Sequence, residues 1–262
     1  LGDVYKRQVH LVGFVPPAGW DQDDYDAFEL DLESAYLGLA TWIETLYENE
    51  TPEGGSGSTF VDGPATASLY KEQYAAAQTG LGVAHDFAGA AGVVVAILDT
   101  GIDVDHAEFA GRIAPGGYDY IDGDSDPNDD VSGVDLDGDG LFDEGAGHGT
   151  FVAGLVTLVA PDTLILPLRV LDHEGRGDMW ALTRGIYHAI DQGVEVINIS
   201  ISSTYNSQAV EDAIEEARLL GIPTVAAAGN CNREKPREYP AMRSNIIGVA
   251  AVDDLELKGG FS

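Results

Sequence analysis

Two residues of this sequence have the types and surroundings that nucleophilic hydrolysis requires. Asp99 directly follows the apolar run Val93 to Leu98, and a carboxylate beside buried positions is costly unless a partner compensates it. His148 stands between Gly147 and Gly149, which leave room for a substrate to approach. A hydroxyl nucleophile needs a base to take its proton and an acid to orient that base. Asp99 and His148 are chemically suited to these two roles.

A third candidate is Asn230, which follows the apolar run Val225 to Ala228 and Gly229. Its side-chain amide can donate a hydrogen bond to a developing oxyanion, although an asparagine after glycine is also common in turns. Asp99 has a second interpretation as a helix-capping aspartate in a turn. It has a third, because the tripeptide Asp99-Thr-Gly also occurs in aspartic proteases, which are all-β and use two such carboxylates.

Alternating strand and helix patterns must position these residues. Continuous apolar runs predict strands that are covered on both faces, and apolar positions three or four apart predict amphipathic helices. This alternation predicts an α/β fold, with a mostly parallel sheet between helices, and argues against an all-β aspartic protease. The predicted strands are 93–98, 164–171, 194–200, 224–228 and 246–252, and the predicted helices are 148–159, 178–192 and 208–220, the last ended by Gly221.

The composition argues against two classes of binding partner. The chain has 45 acidic and 13 basic residues, a net charge of −32, which disfavours nucleic acid and anionic membranes through Coulomb repulsion. No apolar run reaches the roughly 18 residues that span a bilayer. Such acidity suits a protein that works outside the cell or in salty water. The single cysteine, Cys231, excludes a disulfide within these residues.

The segments AILDTGIDVDHAEF, GHGTFVAG, VINISIS and VAAAGN, in this order and spacing, resemble the subtilisin family from about Tyr70 to Ser262. The resemblance implies a three-layer subtilisin-like fold and a serine endopeptidase that acts on proteins or peptides. It makes Asp99 the orienting acid, His148 the general base and Asn230 the oxyanion donor. The leading alternative is a non-catalytic subtilisin-like binding or scaffolding domain, which the joint retention of these residues disfavours.

The resemblance also implies where a substrate lies. A peptide is expected to add as a strand between residues 171–178 and 200–203, and the glycines of the first segment let its backbone come close. The implied substrate-binding residues are Leu171, Gly175, Gly177, Ser200, Ile201, Ser202, Ala227 and Gly229.

Several positions depart from the family pattern. The family usually has histidine where Phe151 stands, and glycines where Ser202 and Ser203 stand beside the specificity pocket. Cys231 is an unusual neighbour for the oxyanion asparagine and is interpreted as a small buried residue. No Gly-Thr-Ser motif carrying the nucleophile is present. The chain is therefore expected to be a fragment that lacks the C-terminal part of the domain and, alone, to be inactive.

The extremities have separate interpretations. Residues 1–8 (LGDVYKRQ) resemble a translated cloning adaptor and are set apart from the fold. Residues 9–50 form an N-terminal extension, either the end of an inhibitory propeptide or an unrelated segment. Residues 51–66 are rich in Gly, Ser and Pro and are predicted to be a linker, and 67–262 to be the incomplete peptidase domain. The protein is expected to be secreted or extracellular, although no signal peptide is visible in the sequence.

An acidic stretch, Asp119 to Glu144, contains 11 acids and no Lys or Arg. Within it, Asp135, Asp137, Asp139 and Asp143, with the carbonyl of Leu141 and a glycine at position 6, follow a calcium-loop template. The acid at position 12 is missing, because Ala146 stands there, and Glu144 is a candidate substitute. A solvated acidic insertion is the other interpretation. Glu108 is a further calcium candidate, at a family position where an acid often helps to bind the ion.

Overall fold

The computed structural model describes residues 21–35, 48–50, 74–136, 138–230 and 238–252, with the isolated residues Pro17, Gly19, Leu255 and Leu257. The predicted adaptor and linker lie outside the described residues, as do Asp137 and Cys231. A helical pattern at residues 37–47 also lies outside them. Within the acidic part of the extension, residues Gln22–Ala35 form helix α1.

The centre of the molecule is a six-stranded parallel sheet. Its strands are β2 (Val94–Asp99), β3 (Tyr118–Asp119), β4 (Leu164–Arg169), β6 (Val196–Ile199), β7 (Thr224–Ala227) and β8 (Ile247–Val249). Their order in the sheet is β3-β4-β2-β6-β7-β8, so β2 has a paired strand on each side. The side chains of β2 are buried on both faces of the sheet, Val95 and Ile97 on one and Ala96 and Leu98 on the other.

Helices cover both faces of this sheet. The helices after α1 are α2 (Tyr74–Gln78), α3 (Leu81–Phe87), α4 (His148–Val159), α5 (Met179–Gln192) and α6 (Gln208–Leu219), with a 3-10 turn at Ala107–Phe109. Apolar side chains of α5 and α6 pack with Ala96 and Leu98, whereas α4 and the 3-10 turn pack with Val95 and Ile97. This three-layer arrangement confirms the predicted α/β class.

The predicted elements are present, and most have shorter ends, whereas β2 is shifted by one residue and α4 keeps its predicted bounds. Strand β4 ends at Arg169 rather than residue 171, because the amides of Val170 and Leu171 both turn to the carbonyl of Asp99 (2.9 and 3.2 Å). Helix α5 begins one residue later than predicted, since Asp178 caps it by accepting a hydrogen bond from the Ala181 amide (2.7 Å). The bends at these ends direct the chain toward the carboxyl edge of the sheet.

A second, two-stranded sheet joins the N-terminal extension to the domain. Strand β1 (Glu48–Glu50) pairs antiparallel with β5 (Arg176–Asp178), and Asn49 lies opposite Gly177. The pairing is between segments more than a hundred residues apart. Among the described residues, no helix combines the length and apolar character needed to cross a membrane.

Candidate active site

Asp99 and His148 meet at the carboxyl end of the central strand. Asp99 is the last residue of β2, and His148 is the first residue of α4. The Nδ1 atom of His148 lies 2.6 Å from Oδ1 of Asp99, the expected hydrogen bond between a base and its orienting acid. The side chain of Asp99 is fully buried and that of His148 is 8% exposed. The bond is therefore shielded from competing water.

Two glycines let helix α4 begin this close to the strand. Gly147 has a φ of 85°, a left-handed conformation at the N-cap that glycine adopts without strain. A Cβ on Gly149 would collide with the carbonyl of Gly101 and lie 3.0 Å from the Asp99 Cβ. The sequence interpretation assigned the glycines to substrate access. The structure shows that Gly149 permits contact between helix and strand end.

A network beside the dyad holds the start of the helix. The Gly149 amide donates to Oγ1 of Thr100 (3.0 Å). The Thr150 hydroxyl donates to Oδ2 of Asp129 (2.9 Å) and accepts from the Asp103 amide (2.9 Å). The loop after β2 and the acidic insertion are thus both tied to the first turn of α4, and this limits the positions that His148 can take.

Asp129 is a site residue that the sequence interpretation did not single out. Burial raises the pKa of its carboxyl, and the nearby Asp99 raises it further, against hydrogen bonds from Gly147 and Thr150 that lower it. It stands among ten other acids of the same stretch, so residue type alone does not distinguish it. Only the fold shows that it faces the helix.

Asn230 lies at the same edge of the sheet as the dyad. It follows β7, which is separated from β2 by β6, and all three strands run in the same direction. The preceding Gly229 has a φ of 88°, and a Cβ there would collide with the buried Glu238 carboxylate. The left-handed backbone is the reason that glycine is favoured here, because the Glu238 carboxylate is the flexible end of a side chain. The direction of the Asn230 amide toward a substrate stays a prediction.

The first predicted substrate edge is occupied by the chain itself. Gly177 lies in β5, which pairs with β1, and Gly175 forms the preceding turn with a φ of 76°. Leu171, at the start of this segment, is fully buried. Its backbone amide is used by Asp99. This segment thus has an edge that already accepts an added antiparallel strand.

The second predicted edge follows β6. Ser200 is half-buried, and its hydroxyl accepts a hydrogen bond from the side-chain amide of Asn198 (3.0 Å). Ile201 is fully buried. Ser202 and Ser203 are buried, and Ser203 forms an antiparallel bridge to Tyr239. Ala227, the end of β7, is paired with Val249 of β8. Phe151, where the family usually has histidine, is 47% exposed.

The acidic insertion does not gather all its predicted calcium ligands. Asp135 accepts hydrogen bonds from Gly138 and Gly140, and Asp139 accepts one from Leu141, so this part forms a tight turn. Asp143 instead accepts hydrogen bonds from Ser132 and Gly133, and its amide donates to Glu174. Among the described residues these acids form no common ligand group.

The remaining calcium candidate is also engaged locally. Glu108 pairs with Arg112 one turn away (3.3 Å).

The carboxyl of Asp143, in the predicted calcium loop, has a lowered pKa. Burial acts to raise this pKa, but hydrogen bonds from Ser132 and Gly133 outweigh burial and hold the pKa below its usual value. With Asp137 outside the described residues, calcium binding stays a prediction.

Comparisons with known proteins identify the relatives of this chain. A model described as the subtilase family matches residues 90–262. Thermitase of Thermoactinomyces vulgaris is 37% identical over 189 residues, 68% of this chain and 62% of thermitase. Alkaline elastase YaB of Bacillus sp. strain YaB is 29% identical over 271 residues, 99% of this chain and 61% of that protein. The crystal structure of a lanthipeptide protease has 27% identity and a TM-score of 0.62, covering 75% of this chain and 60% of that chain.

The family match covers the strands and helices that meet at the site. It begins just before β2 and includes Asp99, His148 and Asn230. The chain spans about three-fifths of the length of the two curated relatives named above. The matched residues, with a parallel sheet whose central strand brings an aspartate to a histidine, make this chain a member of the subtilase family.

Proposed function

We propose that this chain forms most of the catalytic domain of a serine endopeptidase. The observation that carries the proposal is the 2.6 Å hydrogen bond between buried Asp99 and His148. The printed sequence has no Gly-Thr-Ser motif. The nucleophilic serine in this proposal is therefore contributed by sequence downstream of Ser262.

In this proposal each proton has a place. Asp99 accepts the hydrogen bond of the protonated Nδ1 of His148, so Nε2 is the base that takes the serine proton. The carboxylate then stabilises the imidazolium, which returns the proton to the leaving amine. Asn230 donates to the oxyanion that forms between these steps. Because Asp99 is fully buried, its charge acts on the histidine with little screening.

Two alternatives receive less support. A non-catalytic binding domain has no need to keep Asp99 and His148 in hydrogen-bond contact inside the protein. An aspartic protease needs a second catalytic aspartate motif in an all-β chain, whereas this chain has a parallel sheet covered by helices. The endopeptidase is therefore the better proposal.

The test of the proposal is covalent labelling. A chain extended through the downstream Gly-Thr-Ser motif should react with an active-site fluorophosphonate and hydrolyse a peptide substrate, because the triad is then complete. His148→Ala in that chain should abolish both. His85→Ala is the matched control, since His85 is exposed and its Nε2 contacts the carbonyl of Val159 (2.8 Å), at the far end of helix α4 from His148.

Two results would change the assignment. Robust labelling of the 262-residue chain would mean that the nucleophile lies within it. A downstream sequence with another residue at the serine position would favour the non-catalytic alternative.

We also propose that residues 9–50 belong to a propeptide that binds the first substrate edge. The support is the antiparallel pairing of Glu48–Glu50 with Arg176–Asp178, the manner in which a peptide adds to an exposed strand. The match to alkaline elastase YaB extends over 99% of this chain, so it includes this segment. A free peptide of residues 42–53 should inhibit the extended enzyme competitively once residues 1–66 are removed. A scrambled peptide of equal composition should not inhibit.

Secretion and calcium dependence are further proposals. A net charge of −32 suits work outside the cell, and recovery of the protein in the culture medium rather than the cell pellet tests it. Calcium should raise the melting temperature by mass action on the folded state. The substitutions Asp135→Asn and Asp139→Asn together should remove that increase. Equal melting temperatures in calcium and in chelator would count against the loop.

A further inference from the structure

A second cluster of ligand-type side chains lies away from the dyad. In the described residues, Asp143, His173 and Glu174 place one ligand atom each within 4.8 Å of one another. Nε2 of His173 lies 3.7 Å from Oε1 of Glu174 and 2.7 Å from the Ser132 hydroxyl. The cluster therefore combines an imidazole, two carboxylates and a hydroxyl.

Glu174 is the unusual member, because its side chain is fully buried. Its Oε1 accepts the Asp143 amide (2.9 Å), but its Oε2 is buried and has no hydrogen-bond partner. In the described part of the chain, no Lys or Arg forms an ion pair with any of the three residues. A buried carboxylate without a compensating cation is costly. A bound cation would supply the positive charge that compensates the Glu174 carboxylate.

We propose that Asp143, His173 and Glu174 bind a divalent transition-metal ion of the Zn²⁺ class. Imidazole with carboxylates suits zinc, whereas calcium takes six to eight oxygen ligands. Three protein ligands leave the fourth position of a tetrahedral site to water, and the Ser132 hydroxyl is placed to hydrogen-bond the ligands, since it contacts both His173 and Asp143. The site shares Asp143 with the predicted calcium loop, but its other two ligands, His173 and Glu174, lie outside that loop.

The ion would join two segments that flank the active site. Asp143 belongs to the acidic insertion, and His173 and Glu174 precede the edge strand β5. The carbonyl of His173 already accepts the Gly145 amide (2.9 Å), and a Cβ on Gly145 would collide with Gly175. Resting on the proposed function, the site would fix the substrate edge against the loop that leads into His148.

The test uses the 262-residue chain after chelator treatment and dialysis. Titration with ZnCl₂ in a calorimeter should show one ion per chain, and Zn²⁺ should raise the melting temperature. Co²⁺ should give the visible absorption of a four-coordinate site. His173→Gln and Glu174→Gln should each weaken Zn²⁺ binding at least about 100-fold, beyond the roughly 10–100-fold cost of losing a supporting residue.

Controls separate this site from its neighbours. His85→Gln and the pair Asp135→Asn with Asp139→Asn should leave Zn²⁺ affinity unchanged. Circular dichroism of every variant identifies those that fail to fold, and the Co²⁺ spectrum of the unaltered chain remains decisive if any do. Equal Zn²⁺ affinity in folded His173→Gln, or no Co²⁺ absorption in the unaltered chain, would overturn the proposal. None of these readouts depends on peptidase activity, so they do not test the proposed endopeptidase.

Discussion

Two regions near the start of helix α4 carry aspartates, and the aspartate carboxylates have different hydrogen-bond partners in each. At the end of β2, Asp99 is fully buried and hydrogen-bonded to a histidine. In the insertion, Asp135 and Asp139 are bonded to amides of their own turn. The first carboxylate must find a partner from another element, and the second is satisfied locally. The comparison teaches that burial, rather than the number of acids, decides which carboxylate acts on another residue.

Asp129 lies between these two cases. In sequence it belongs to the acidic insertion. In the structure its carboxyl accepts a hydrogen bond from the Thr150 hydroxyl of helix α4, and burial raises the pKa of this carboxyl. It is thus a neighbour of the dyad contributed by the insertion. Three experiments test how far the two regions differ.

The largest expected effect is on catalysis. In the extended chain, Asp99→Asn should lower kcat by about 10⁴, because an amide fixes the histidine in the wrong tautomer. Asp135→Asn together with Asp139→Asn should change kcat less than about twofold in excess calcium. Steady-state rates on one peptide substrate measure both. Comparable losses would show that the insertion takes part in the chemistry.

A smaller effect is expected from two glycines. Gly149→Ala should lower the free energy of unfolding by about 3 kcal/mol, because the new Cβ collides with Gly101 and crowds Asp99. Gly138→Ala should cost about 1 kcal/mol, since Gly138 has a φ of 79° but open space around it. Urea unfolding of the 262-residue chain measures both. A larger loss at Gly138 would contradict the tight contact between helix and strand.

The smallest expected effect is a pH dependence. The folded-state pKa of Asp129 is raised above its ordinary value, chiefly by burial. The stability linked to its protonation is therefore present below the ordinary aspartate pKa and is lost as pH rises through the raised pKa. Asp129→Asn keeps an acceptor for Thr150 without that loss, so its stability relative to the unaltered chain should increase from pH 4 to pH 7.

The adjacent residue supplies the control for that measurement. Asp130→Asn removes a carboxylate whose side chain is 64% exposed and pairs with Arg169 (3.5 Å), so solvent screens most of its charge, and losing the pair acts in the opposite direction as pH rises. Its stability relative to the unaltered chain should follow no such trend over the same range. Parallel curves for both variants would show that Asp129 is not distinguished by burial.

Many of the strands and helices could be predicted from the sequence, because apolar runs and apolar periodicity are local patterns. The run Val93 to Leu98 predicts a doubly covered strand, and the periodicity of residues 208–220 predicts a helix. Helix α4 begins and ends at the predicted residues. The short strand β3 was not predicted, because its two residues are too few to show any period.

The site was predictable only in part. Asp99 and His148 follow from strand-end position and flanking glycines. Glu174 does not, because its burial depends on a loop that folds over it from a distant segment. The same holds for β1, whose three residues Glu-Asn-Glu have no strand character and become a strand only by pairing with β5.

The register of the central sheet has a consequence for how the chain is made. Val94 of β2 pairs with Leu164 of β4, a separation of 164 − 94 = 70 residues, and no nearer strand among the described residues pairs with β2. At a synthesis rate of roughly 5–20 residues per second, β2 waits about 4–14 s for its first parallel neighbour. Through that interval five consecutive apolar residues, Val94 to Leu98, have no strand to pair with. Newly made chains are then most exposed to aggregation, and slower initiation at low temperature should improve the yield of soluble protein.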